Sequence, residues 1–415
     1  MNEQADGERR LTTQQAAEAL GVKPATVYAY VSRGQLTSRR DPVGRGSSFD
    51  AREVEALARR NRREAAGPPA APGELSVRTS LTLIEDDRYY FRGVDAVELA
   101  SRHRYEEVAE WLWTGKPAPG ARFTAPPEPL AAARRSVAAL PEHSGPVDRL
   151  RVAVAAAAVA DPLRFDLSET AVLGAARGLI PTLVGALPEV GPAQWGGDAR
   201  LARRLWSRLT PLEPDPDALA VLDLALALLA DHDLAASTLA VRVAASARAH
   251  PYAAVSAGLG ALEGPLHGAA GRLAHMMLVE VLERGAAAPV VAEYLRAGRR
   301  VPGLGHRLYR GQDPRAGALF ARLEQLPQAS PALRAAQDVA EVMARHGGGL
   351  YPNVDLAVAV LTVSYAMPAE AGETVFAVSR TAGWIAHALE EYQERPLRMR
   401  PSGHYTGPRP PRPLP

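Results

Sequence analysis

Histidine, aspartate and arginine recur in a few short segments of this chain, most of them beside glycine, proline or another small residue. The segments are LADHDLAAST (229–238), GPLHGAA (264–270), GLGHRLYRGQDPRA (303–316), YPNVD (351–355), SRTAGWIAHALEE (379–391) and RPSGHYTG (400–407). Carboxylate and imidazole groups move protons, and guanidinium grips carboxylates through paired hydrogen bonds. Glycine and proline at a helix edge let backbone come close to a ligand. Each segment alone reads more readily as structure, a lone histidine as a core residue and an isolated arginine as a solvated charge. The ADHD cluster also suggests a His/Asp metal site. GLG at 303–305 is not a dinucleotide fingerprint, because no third glycine or βαβ context follows.

The elements that must position these residues are mainly helical. The chain has 415 residues, enough for two or three folding units, and 47% of them are apolar, enough for a large core. The net charge of +2 argues against a chain devoted wholly to nucleic acid. The absence of cysteine excludes disulfides and thiolate chemistry. No apolar leader opens the sequence, and the longest apolar run, Ala218–Ala230, is interrupted by Asp223. That run is shorter than the roughly 20 residues a membrane span needs, so the expectation is a soluble, cytoplasmic protein without a membrane partner.

Beyond residue 75 alanine is abundant and β-branched runs are few, which favours an all-α body. Helices are expected over 95–101, 105–113, 147–159, 198–209, 216–230, 235–249, 252–262, 271–283, 288–297, 314–326, 330–346, 355–365 and 373–392. One small hairpin is expected within LTLIEDDRYYFRG (81–93). AAGPPAAPGEL (65–75) reads as a semi-rigid linker, PGARFTAPPEP (119–129) as a surface loop and GPRPPRPLP (407–415) as an extended tail.

The first 64 residues have a layout of their own. Thr12 and Gln15 form a capping box before Ala16, Ala17 and Leu20, Gly21 ends that helix, and Pro24 opens a second. Gly44-Arg45-Gly46 marks a hairpin tip, and Asp50 and Glu53 open a third helix. This stretch resembles the winged helix-turn-helix modules of the MerR and excisionase type. The resemblance implies contact with double-stranded DNA through the second helix and the wing, with Lys23, Thr26, Tyr28, Arg33, Arg39, Arg40 and Arg45 as candidates. The basic ones would meet phosphate, which positions without specifying. A helical protein–protein module with a charged surface is the competing reading.

From about Leu75 to Gly407 the ordered segments resemble citrate synthase. The resemblance implies a large helical domain (76–267 plus 373–415) and a small one (268–372). It implies that His267 hydrogen-bonds the acetyl-CoA thioester oxygen, that Asp355 removes the methyl proton and that His306 polarises the oxaloacetate ketone. His232, Arg315 and Arg380 match oxaloacetate or citrate ligands. Arg400 matches an arginine that reaches the partner's site in a homodimer. No metal or resident cofactor is implied; acetyl-CoA or propionyl-CoA is a co-substrate.

Three positions depart from the family's habit. Ala235 stands where an Asn is frequent, Ala270-Gly271 where Ala-Asn is frequent, and Ser402 where an Arg would face CoA phosphates. They leave the acid–base set whole and leave acyl preference open. The expected activity is condensation of acetyl-CoA with oxaloacetate to citrate. A 2-methylcitrate synthase using propionyl-CoA is one alternative, and a DNA-binding regulator with a metabolite-sensing body is another.

Overall fold

The computed structural model describes residues 10–32, 35–40, 47–65, 77–191, 200–264, 267–346, 350–399, 401 and 406–407. The chain divides into two compact units, Met1–Arg78 and Thr79–Pro415.

The first unit runs β1 (Arg10–Thr12), α1 (Thr13–Leu20), α2 (Pro24–Ser32), β2 (Ser38–Arg40), β3 (Ser47–Asp50) and α3 (Ala51–Ala65). The Thr12 side chain accepts from the backbone of Gln15, whose own side chain returns the bond, so the capping box is present. Gly21 closes α1 at φ 66°, a left-handed turn that glycine adopts without strain. The strands form an antiparallel sheet in the order β1-β3-β2. Phe49 lies opposite Leu11 on one side and Ser38 on the other. Ala16, Ala17, Leu20, Val27, Phe49, Val54 and Leu57 bury a small separate core. β1 was not expected from the sequence, because three residues abutting a cap carry no alternation to read.

The second unit opens with an antiparallel sheet, β4 (Thr82–Glu85), β5 (Arg88–Phe91) and β6 (Val94–Asp95). Helices then follow: α4 (Ala96–Arg102), α5 (Tyr105–Thr114), α6 (Pro127–Ala138), α7 (Pro146–Val159), α8 (Glu169–Ala186), α9 (Leu201–Leu209), α10 (Pro216–Leu229), α11 (Ala236–Ser246), α12 (Pro251–Leu262), α13 (Ala270–Arg284), α14 (Ala287–Arg296), α15 (Pro314–Leu323), α16 (Ser330–Arg345), α17 (Val354–Ser364) and α18 (Ala371–Tyr392). None is long and apolar enough to cross a membrane.

Two helices correct the sequence reading. α6 begins at Pro127, inside the stretch taken as a surface loop; proline in a first turn gives up an N–H that has no partner there anyway. α8, which no expected range covers, carries Pro181 in its interior. The expected linker lies almost wholly, and the tail beyond Gly407 entirely, outside the described residues.

α18 is buried on nearly every face and packs against α5, α7, α8, α10, α11, α12, α13 and α17. A helix enclosed all round belongs to the centre of a large core, and burying a side chain such as Trp384 stabilises by about 3 kcal/mol. Polar groups in this helix are paired. Arg242 of α11 reaches Glu390 at 2.9 Å and Glu391 at 3.4 Å. Arg398, beyond the helix end, holds Glu391 through two hydrogen bonds of 2.8 and 2.6 Å.

Candidate active site

The ADHD turn after α10 is fixed from below. Asp231 is fully buried and accepts a hydrogen bond from the Thr82 hydroxyl of β4. Its oxygens lie 3.2 and 3.3 Å from Nε2 of His387 on α18. Nδ1 of His387 is 2.7 Å from Nη1 of Arg242. A guanidinium only donates, so Nδ1 accepts and Nε2–H points at Asp231. Burial alone would raise the Asp231 pKa; His387, Arg380 and the Thr82 bond outweigh it and hold the carboxyl below its usual range. Gly383 donates its N–H to Ala230 at 3.0 Å, and a Cβ there would fall 2.3 Å from that same carbonyl. Only glycine lets α18 lie against this turn. Asp233 then leaves it at φ 55°.

His306 is placed by two short backbone segments pairing. Gly305 N–H donates to Tyr351 at 2.7 Å, Asn353 N–H to Gly303 at 2.9 Å, and Asn353 Nδ2 to Gly305 at 2.9 Å. Gly303 has φ 77°, and a Cβ on it would lie 2.7 Å from Cβ of Leu356. The GLGH and YPN segments are thereby fastened together, which brings His306 beside the start of α17. Asn353 caps that helix, accepting from the N–H of Asp355 and of Leu356.

The Leu308 N–H donates to Nδ1 of His306 at 3.1 Å, which leaves the proton on Nε2. Burial, then the nearby Arg315, lowers the His306 pKa to about 4, so the ring is neutral. Burial and the charges of Arg315 and Arg380 keep His232 neutral as well. Tyr309 ties the two rings together. Its hydroxyl is 2.7 Å from Nε2 of His232 and its ring centroid 4.8 Å from that of His306.

Arg315 and Arg380 are both buried. Asp313 caps α15 and holds Arg315 side-on, 2.9 Å at each of two contacts, and also accepts from Val354 N–H at 3.0 Å. Burial opposes the Arg315 charge, but Asp313 outweighs it and raises the pKa. Arg380 donates Nε–H to Leu229 at 2.8 Å and lies over the Phe376 ring. Burial pushes its pKa down to about 10, which leaves it charged at neutral pH.

His267 follows α12. Its Nε2 is 2.7 Å from the Ser237 hydroxyl, which also accepts from Trp384 Nε1 at 3.3 Å. A hydroxyl that accepts from Trp384 can still donate its proton to Nε2, the arrangement in which His267 carries its own proton on Nδ1. Burial lowers the His267 pKa, with Arg380 adding to it. Burial raises the Asp355 pKa to about 6, the pull of Arg315 being too weak to cancel it. Among the described residues no donor hydrogen-bonds this carboxylate.

His232, His267, His306, Arg315, Asp355 and Arg380 line one cavity of about 910 Å³, large enough for a sizeable ligand. Six of the seven sequence-predicted body residues thus meet; Arg400 lies outside the described residues. Sequence reasoning missed Asp231, Ser237, Tyr309, Asp313, Trp384 and His387. All six fall inside segments already singled out: Asp231 and Ser237 in LADHDLAAST, Tyr309 and Asp313 in GLGHRLYRGQDPRA, Trp384 and His387 in SRTAGWIAHALEE. Ser237 and Tyr309 carried no separate signal. Among the described residues no group of three His, Asp or Glu could hold a metal ion.

In the first unit Lys23 is exposed just before α2, Thr26 and Tyr28 stand on α2, and Arg39 is exposed on β2. Arg40 ends β2, but its side chain, and all of Arg33 and Arg45, lie outside the described residues.

An ionisable base and two neutral proton donors grouped around two buried cations suit proton abstraction and carbonyl addition on an anionic substrate. The family model described as citrate synthase, C-terminal domain, matches residues 72–402, and a helix-turn-helix domain model matches residues 10–62. The citrate synthase of Synechocystis sp. is 32% identical over 366 residues, which are 82% of this chain and 90% of that protein. The solved citrate synthase of Pyrobaculum aerophilum superposes with a TM-score of 0.66 at 28% identity, covering 82% of this chain and 92% of its own. The citrate synthase of Thermoplasma acidophilum, solved in a ternary complex with carboxymethyl coenzyme A and oxaloacetate, shares the fold, with a TM-score of 0.64 at 24% identity over 82% of this chain and 96% of its own. The chain belongs to the citrate synthase family, and its N-terminal unit is a helix-turn-helix domain.

Proposed function

We propose that the cavity condenses acetyl-CoA with oxaloacetate and water to give citrate and CoA. The observation that carries this reading is the placing of Asp355, with a pKa of about 6, in the same cavity as His267, whose Nε2 is held by the Ser237 hydroxyl. A thioester α-proton is weakly acidic, and removing it needs a base and a donor to the carbonyl oxygen together. Asp355 takes the proton and His267 donates to the thioester oxygen. The resulting carbon nucleophile attacks the oxaloacetate ketone, whose oxygen receives the Nε2 proton of His306. Arg315 and Arg380 answer the two carboxylates, with His232 beside them. Water then cleaves the citryl thioester.

The same reading divides the body into a large domain (76–267 plus 373–415) and a small one (268–372) around the cavity, and makes it a cytoplasmic homodimer completed by Arg400 from the partner. The test is release of CoA thiol on mixing purified protein with acetyl-CoA and oxaloacetate. Release that needs both substrates and is lost in Asp355→Asn is expected; no release at micromolar protein overturns the reading.

A second role is favoured by the first unit, a capped helix-turn-helix with its own core and exposed Lys23 and Arg39. It binds double-stranded DNA, positioned by phosphate contacts. Retardation of a duplex by the full chain should weaken in Lys23→Glu and Arg39→Glu and fall steeply with salt. Retardation indifferent to both would assign the unit to protein contacts instead.

A further inference from the structure

Tyr309 follows His306 in the same loop, and its backbone is pinned on both sides. The Tyr351 hydroxyl donates to its carbonyl, and Asp87 accepts from the next two N–H groups at 2.6 and 2.8 Å. The residue is buried, with its ring centroid 5.5 Å from that of His232 and 4.8 Å from that of His306. Its hydroxyl meets Nε2 of His232 at 2.7 Å and has no other hydrogen-bond partner among the described residues. His232 lines the cavity and Tyr309 does not, so the phenol reaches the imidazole from outside the ligand space.

The direction of that bond follows from what each group can give. Burial pushes the Tyr309 pKa up, against the pull of Arg315, so the phenol keeps its proton at neutral pH. A buried donor without an acceptor is costly, and Nε2 of His232 is the acceptor in reach. Nε2 therefore supplies the lone pair. Burial, then Arg315 and Arg380, keep His232 neutral, so its one proton stands on Nδ1. That choice decides what the ring can do for an anion. A carboxylate accepts hydrogen bonds and offers none, so a neutral imidazole holds it only through an N–H. The other tautomer would turn a lone pair toward the same oxygens.

We propose that Tyr309 is a positioning residue for oxaloacetate, its hydroxyl fixing His232 as an Nδ1–H donor to a carboxylate that Arg315 and Arg380 also hold. The inference rests on the condensation reading above and adds a residue which that reading does not use. Tyr309 acts through His232 and does not meet the substrate.

The test is calorimetric titration of the full chain with oxaloacetate, with steady-state CoA release alongside. Tyr309→Phe keeps the ring beside His306 and removes only the hydroxyl. It should weaken oxaloacetate binding and raise its KM by ~3–10-fold, with KM for acetyl-CoA unchanged. Wild-type affinity in this variant overturns the proposal, and so does an equal rise in both KM values, the mark of a cavity loosened in general. The hydroxyl should matter only while the imidazole is there to receive it, so adding Tyr309→Phe to His232→Ala should change affinity by less than about twofold. A second loss as large as the first counts against action through His232. Tyr392→Phe removes another phenol–carbonyl bond, 2.6 Å to Ala249, from a residue that does not line the cavity. It should leave oxaloacetate affinity unchanged; an equal loss there would make the Tyr309 effect merely structural. A wild type that condenses, with Tyr309→Phe unaffected, sinks this inference alone. A wild type that neither binds oxaloacetate nor releases CoA defeats the condensation reading, and this inference with it.

Discussion

The Ser237 hydroxyl holds His267 by Nε2 at 2.7 Å, leaving Nδ1 as the edge of the ring for a ligand. The Trp384 indole N–H donates to the same oxygen at 3.3 Å and so fixes where the hydroxyl sits. Ser237→Ala frees the imidazole to rotate and to change tautomer. The expected result is a fall in kcat of ~10–100-fold with KM for oxaloacetate little altered, read by steady-state CoA release. Trp384→Phe should reproduce part of that loss.

Asp355 is held in an environment that favours its neutral form. An unfolded-state pKa of 3.8 against about 6 when folded means that stability is lost as pH rises between those values and stays lost above them. Asp355→Asn should therefore stabilise the fold at pH 7–8 by about 1–3 kcal/mol, a gain that disappears below pH ~4. Urea unfolding at both pH values checks the sign. Activity of the wild type should fall on the acid side with an apparent pKa near 6, since only the carboxylate accepts the proton.

Asp87 at the β4–β5 turn accepts from the N–H groups of Arg310 and Gly311, at 2.6 and 2.8 Å. The loop so gripped carries His306 and Tyr309. Asp87→Ala should raise KM for oxaloacetate by ~3–10-fold while Tm moves little, because the hydrogen bonds lost are partly exposed. An unchanged KM would make the grip incidental.

Arg242 is fully buried and joins His387 to Glu390 and Glu391. Arg242→Met keeps much of the volume and removes one of the two cations that face the buried Glu391, leaving Arg398 as the other. A loss of ~1–3 kcal/mol by chemical denaturation is expected, from the partners of Arg242 left without its hydrogen bonds. His387→Gln should act more locally, loosening Asp231 and hence the His232 turn, and should weaken oxaloacetate binding more than it lowers Tm.

The sequence made the helical body and the cavity residues legible because each of His232, His267, His306, Arg315, Asp355 and Arg380 sits in a glycine-, proline- or alanine-marked segment. It did not disclose what orients them. Ser237 and Tyr309 look like ordinary polar residues within a helix and a loop, and their partners are tens to more than a hundred positions away. His387 stood in plain view beside Trp384, yet nothing local tells a core histidine from a ligand. Helix α6 was hidden by proline, whose effect depends on position in the helix, and no expected range covered α8. Gly271 was visible only as a departure; its closeness to Gly372, about a hundred residues on, shows only in the fold.

The central place of α18 has a consequence for the order of events during synthesis. The first unit closes its core with residues no further apart than Ala16 and Ala58, so it can fold while most of the chain is still being made. The body cannot. Thr82 bonds Asp231, Ser80 bonds Glu390, and Arg398 completes the shell of Glu391, so its earliest strand waits for its last helix. A growing chain would therefore carry a finished helix-turn-helix ahead of a body that stays open until translation is almost over.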